Sequence, residues 1–95
     1  MTATREIVVC AGLDSLYDRA ARRFVEAGRT AHAARGRFTV AVSGGSTPVP
    51  LFTALAEPAL RESVPWEVTD LFWVDERCVP PDHGDSNYRL AREAF

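Results

Sequence analysis

A chain of 95 residues holds one small domain or part of a larger one. Its net charge of -2 comes with no basic stripe and no apolar run near the ~18 residues of a membrane span, so neither nucleic acid nor a membrane is an expected partner. All 11 basic residues are arginine, which excludes a Schiff-base lysine and a P-loop lysine from this stretch and leaves arginine, hydroxyls and backbone N–H groups to hold any anion.

Residues 1–5 lead directly into an apolar run without the apolar core of a signal peptide. Cys10 and Cys78 have neither metal-type nor redox-type spacing and read as reduced, packed thiols of a cytoplasmic protein. Ile7-Val8-Val9-Cys10 reads as a short strand buried on both faces, closed by Gly12 and Asp14. A long helix follows, with Leu13, Leu16, Tyr17, Ala20, Ala21, Phe24, Val25, Gly28 and Ala31 on its apolar face. Ser15 with Asp18 fits a capping box, Asp18 precedes Arg22 by one turn, and Gly36 is a natural stop.

Phe38 to Val42 reads as the second strand and runs into Ser43-Gly44-Gly45-Ser46-Thr47-Pro48. The next helix has Val49, Leu51, Phe52, Leu55 and Ala56 as its apolar positions, Pro48 in its first turn, and Ser46 or Thr47 as its cap. Pro58 and Pro65 punctuate a connection to the third strand, residues 68–74. A polar loop over residues 75–85 ends at Ser86, which caps a last helix starting near Asn87. Strands alternating with helices argue for an α/β domain with a mostly parallel sheet, and no internal boundary divides residues 1–95.

Two segments carry chemistry. Two glycines ending a strand before a capped helix start make an anion site by geometry and dipole, or equally a plain strand-to-helix turn. There is no G-x-G-x-x-G, and Pro48 stands where a nucleophile elbow needs its last glycine. Asp75-Glu76-Arg77 ends the third strand, on the sheet edge where parallel sheets bind ligands. It offers an oxyanion grip and a carboxylate, or a solvated salt bridge. His32 and His83 read as polar surface residues, and Trp66 and Trp73 as core aromatics.

Val42-Ser43-Gly44-Gly45-Ser46-Thr47-Pro48 resembles the phosphate loop of the 6-phosphogluconolactonases. Phe72-Trp73-Val74-Asp75-Glu76-Arg77-Cys78-Val79-Pro80-Pro81, followed by Asp85-Ser86-Asn87-Tyr88, resembles their second hallmark. The resemblance implies a Rossmann-like three-layer α/β/α fold, incomplete in this chain, and cofactor-free, metal-free hydrolysis of a phosphorylated sugar lactone to 6-phosphogluconate. It implies that Ser43, Gly44, Gly45, Ser46 and Thr47 hold the substrate phosphate and that Asp75 and Arg77 are the catalytic residues. The related glucosamine-6-phosphate isomerase/deaminases typically have Asp-Glu-Tyr at the second hallmark, so Arg77 favours the lactonase. The family's base is a histidine in a Gly-x-Asp-Gly-His segment that no residue here matches. The chain is therefore expected to be the N-terminal portion of such an enzyme, with its base beyond residue 95. An isomerase/deaminase and an inactive sugar-phosphate-binding fragment are the alternatives.

Overall fold

The computed structural model describes residues 4–95. Helix α1 (Leu13–Arg35) leads into strand β1 (Phe38–Val42), helix α2 (Val49–Ala56), the short helix α3 (Pro58–Arg61), a 3-10 turn at Trp66–Val68, strand β2 (Thr69–Trp73) and helix α4 (Asn87–Ala94). The two strands are parallel, in register from Phe38 opposite Thr69 to Val42 opposite Trp73. They form the parallel sheet of an α/β fold, and the chain between them supplies the crossover that parallel pairing requires.

The helices cover one face of this sheet. Phe38 and Val42 are buried there. Phe24 of α1 meets Phe38 edge-on, with ring centroids 5.4 Å apart. Val42, Phe52 and Ala91 form one buried cluster, joining β1, α2 and α4; Ala21, Val25, Leu55 and Val64 form a second beneath α1. On the opposite face Phe72 is 55% exposed, and Val74, just past the strand, is 67% exposed. Arg37 and Asp70 bracket that face with a bidentate pair at 2.9 and 2.8 Å. One helical layer and two strands of a three-layer arrangement are thus present among the described residues.

Residues 7–10 are not the expected strand. They have no regular structure, and Ile7 and Val9 are 85% and 89% exposed. A strand exists through its ladder of inter-strand hydrogen bonds, and no described segment pairs with this run. Ser15 bonds Gly12 rather than partnering Asp18: its hydroxyl accepts from the Gly12 N–H at 3.3 Å and donates to the Gly12 carbonyl at 3.0 Å. Asp18 instead pairs with Arg22 at 3.0 Å, as the spacing indicated. Gly36 ends α1 with φ 73°, its N–H donating to the His32 carbonyl. Cys10 is half-buried, whereas Cys78 is exposed and not a packed thiol, because it sits on the loop after β2. No described helix is long and apolar enough to cross a membrane.

Candidate functional site

The site lies where β1 and β2 end. Gly45 adopts φ +81°, a left-handed conformation that glycine accepts without steric cost. Gly44 is required for a different reason: a Cβ there would overlap the Asn87 carboxamide packed against it. The N–H groups of Gly44, Gly45, Ser46 and Thr47 donate to no acceptor among the described residues. Successive free amides in a glycine turn are the kind of donor set that anion-binding concavities use. The turn is also held from behind, where the Tyr17 hydroxyl of α1 donates to the Thr47 carbonyl at 2.7 Å.

Helix α2 contributes less than expected. Neither Ser46 nor Thr47 caps it by side chain; Pro48 is the N-cap residue. Pro48 and Pro50 have no N–H, and Val49 donates its own to the Ser46 carbonyl at 3.3 Å. The free donors therefore sit in the loop ahead of the helix rather than in its first turn.

Past β2, the Val74 N–H donates to the Val42 carbonyl at 2.9 Å and extends the ladder to the site. The three residues that follow separate in role. Glu76 is a structural cap for α4. Its carboxylate accepts from the N–H groups of Asn87 (2.7 Å), Tyr88 (3.0 Å) and Arg77 (2.7 Å) and from the Ser86 hydroxyl (3.0 Å). Ser86 is buried and caps the same helix by accepting from the Arg89 N–H at 3.2 Å. Hydrogen bonds from the Asn87 and Tyr88 backbone, against a smaller opposing desolvation, hold Glu76 down at about 2 from the ordinary 4.5.

That depression has a testable sign. A carboxylate with a lowered folded-state pKa stabilises the fold fully above its unfolded value and loses the contribution as pH falls through its folded value. The start of α4 should therefore loosen between pH 4.5 and about 2. Acid titration followed by tryptophan fluorescence should show this transition through Trp73, which donates to the Asn87 carbonyl. Glu76→Gln should weaken the helix start at neutral pH and flatten that part of the curve.

Arg77 has no carboxylate partner among the described residues. It faces a cleft of about 310 Å³ with Gly45 and Ser46 on one wall and Asp85, Asn87 and Leu90 among the others. The Asp75 carboxylate is next to this cleft and accepts from the Asn87 side-chain amide at 3.3 Å. Of the residues singled out in sequence, the cleft brings together Gly45, Ser46 and Arg77. Gly44 lies beneath Asn87, Thr47 is turned toward Tyr17, and Ser43 is exposed at the strand end. His83 is engaged within its own loop, its Nδ1 accepting from the Asp85 N–H at 3.0 Å. Larger hollows, of about 360, 380, 440 and 840 Å³, lie elsewhere and include none of Ser43 to Thr47, Asp75 or Arg77. Asn87 and Tyr17 were missed as site residues. Asn87 was legible as a helix start and as part of the second hallmark, and Tyr17 only as an apolar helix position.

The family described as glucosamine-6-phosphate isomerases/6-phosphogluconolactonase matches residues 12–95. The chain belongs to this family. A 6-phosphogluconolactonase from a Nostoc species is 52% identical over 66 residues, covering 70% of this chain and 26% of that protein. One from a Synechocystis species is 54% identical over 63 residues, covering 66% and 25%. Among solved structures, the 6-phosphogluconolactonase from Trypanosoma cruzi superimposes with a TM-score of 0.82 at 34% identity, covering 100% of this chain and 36% of that one. One from Shewanella baltica gives 0.77 at 36% identity, covering 85% and 33%. The chain thus spans about a quarter of the length of the curated relatives and about a third of the solved ones.

Proposed function

We propose that residues 1–95 carry the phosphate-binding part of a cytoplasmic 6-phosphogluconolactonase, which hydrolyses 6-phospho-D-glucono-1,5-lactone to 6-phosphogluconate. The observation that carries this is a guanidinium without a carboxylate partner, facing the glycine turn across one cleft. The substrate phosphate rests on the amides of Gly44, Gly45, Ser46 and Thr47, with the Ser43 end of β1 beside them. Arg77 holds the phosphate or the negative charge that grows on the lactone carbonyl oxygen as water adds. Asp75 orients a sugar hydroxyl or the imidazole of the base. A histidine outside these residues takes the proton from the attacking water, and the ring oxygen leaves with a proton as the carboxylate forms. A lactone is an activated ester, so the reading calls for no covalent nucleophile and no cofactor.

The assay is lactone hydrolysis and ammonia release, measured side by side on a whole-length enzyme that contains residues 1–95. Lactone turnover without ammonia release from glucosamine 6-phosphate is expected; the reverse would move the assignment to the isomerase/deaminases. The 95 residues by themselves should release no acid above background in a pH-stat and should elute as an oligomer. Neither histidine is placed to act as base. The open face around Phe72 and Val74 also favours association. Robust turnover by the short chain, abolished by His83→Ala, would overturn the placement of the base.

A further inference from the structure

Asn87 is 4% exposed and ties the end of β2 to the start of α4 through its own polar groups, while its carboxamide packs against Gly44 after β1. Its backbone N–H donates to Glu76 at 2.7 Å, and its carbonyl accepts from the Trp73 indole N–H at 3.1 Å. Its side-chain NH₂ donates to the Asp75 backbone carbonyl at 3.1 Å and to the Asp75 carboxylate at 3.3 Å. Both Asp75 groups are acceptors only, so the amide nitrogen must face them. The rest of the carboxamide then lies against Gly44, in the space a Cβ would need.

We propose that Asn87 is a positioning residue for the lactonase site, fixing the Asp75 carboxylate relative to the phosphate loop. It lines the cleft, and the role assigned to it acts through Asp75. Its amide acts as a spacer with one polar edge on Asp75 and one flat side on Gly44, so the carboxylate and the loop amides keep a set separation. Aspartate at position 87 keeps the size but turns a donor into an acceptor, placing two carboxylates against each other. Asparagine at position 75 restores a donor–acceptor pair with the polarity reversed. The proposal rests on reading this cleft as the sugar-phosphate site, and the experiment separates the two.

The test is a double-mutant cycle on the full chain: the parent, Asp75→Asn, Asn87→Asp, and both together. The readouts are 6-phosphogluconate affinity by calorimetry and the urea midpoint by tryptophan fluorescence. Asn87→Asp should weaken affinity at least tenfold, and adding Asp75→Asn, which removes the carboxylate repulsion but leaves the Asp75 backbone carbonyl without its donor, should recover part of the urea midpoint. Asn87→Ala, which leaves Gly44 room but no donor, should lose affinity in proportion more than it loses stability. A double variant that unfolds no later than Asn87→Asp would overturn the proposal. So would an Asn87→Ala chain with the parent's affinity. A parent that does not bind 6-phosphogluconate at all would overturn the site reading itself.

Discussion

A Gly44→Ala chain should unfold about 1–3 kcal/mol more easily than the parent, the scale of an overpacked site, and should lose measurable 6-phosphogluconate binding. A methyl group at position 44 overlaps the Asn87 carboxamide, which is itself pinned to Asp75 and by its backbone to Glu76 and Trp73. The carboxamide is held in place and is not the free end of a flexible side chain, so the loop must shift and the amide cradle opens. Gly45 provides the contrast. A Cβ there meets nothing within 4 Å, and its cost is the left-handed φ of +81°. Gly45→Ala should therefore cost about 1–2 kcal/mol in strain while leaving space over the cradle. Urea denaturation and calorimetry on the two variants check the difference. Equal loss of binding in both would show that conformation, not the Asn87 contact, sets the loop. Removing the opposing side chain, as Gly44→Ala with Asn87→Ala, should recover part of the Gly44→Ala stability loss, because the clash disappears.

Arg77→Ala in the whole-length enzyme should lower kcat/KM by about 10²–10³, the usual scale for deleting a group aimed at developing negative charge. Arg77→Lys should recover only part of this and remain about tenfold, or ~1.4 kcal/mol, below the parent. A guanidinium presents a planar fork of donors that an ammonium does not reproduce. The structural ground is that Arg77 is free of any described carboxylate while its neighbour Glu76 is fully engaged by α4. Steady-state kinetics over a range of lactone concentrations assign the role. A rise in KM alone marks a phosphate grip, and a fall in kcat marks charge stabilisation at the carbonyl. Parent-like kinetics in both variants would make Arg77 an ordinary surface residue.

Much of the scaffold was legible because it rests on local rules. The helical periodicity, Gly36 and the Asp18–Arg22 spacing located α1, while Ser86 marked the start of α4 and the apolar runs located β1 and β2. Residues 7–10 carried the same apolar signal, yet pairing is a property of two segments and cannot be read from one. The site divides in the same way. Gly44, Gly45 and Arg77 stood out through composition and position. The distinct roles of Asp75, Glu76 and Arg77 did not, because three adjacent polar residues look alike until a distant helix start claims one of them. Asn87 and Tyr17 act on the loop from segments far along the chain, and no local pattern reports such contacts.

The clasp that Asn87 makes also sets an order of assembly. The glycine turn, the end of β2 and the start of α4 are contributed by three separate stretches, and Asn87 in the last of them joins the other two. During synthesis, β1 and its turn emerge well before α4 is available to close over them. The nascent turn, already tied to α1 through Tyr17, lacks its Asn87 contact until the α4 segment arrives. Closing that long loop costs chain entropy before the buried asparagine contributes its contacts. This edge is thus a late-forming feature of the fold, and substitutions at position 87 should slow its maturation as well as loosen the finished cleft.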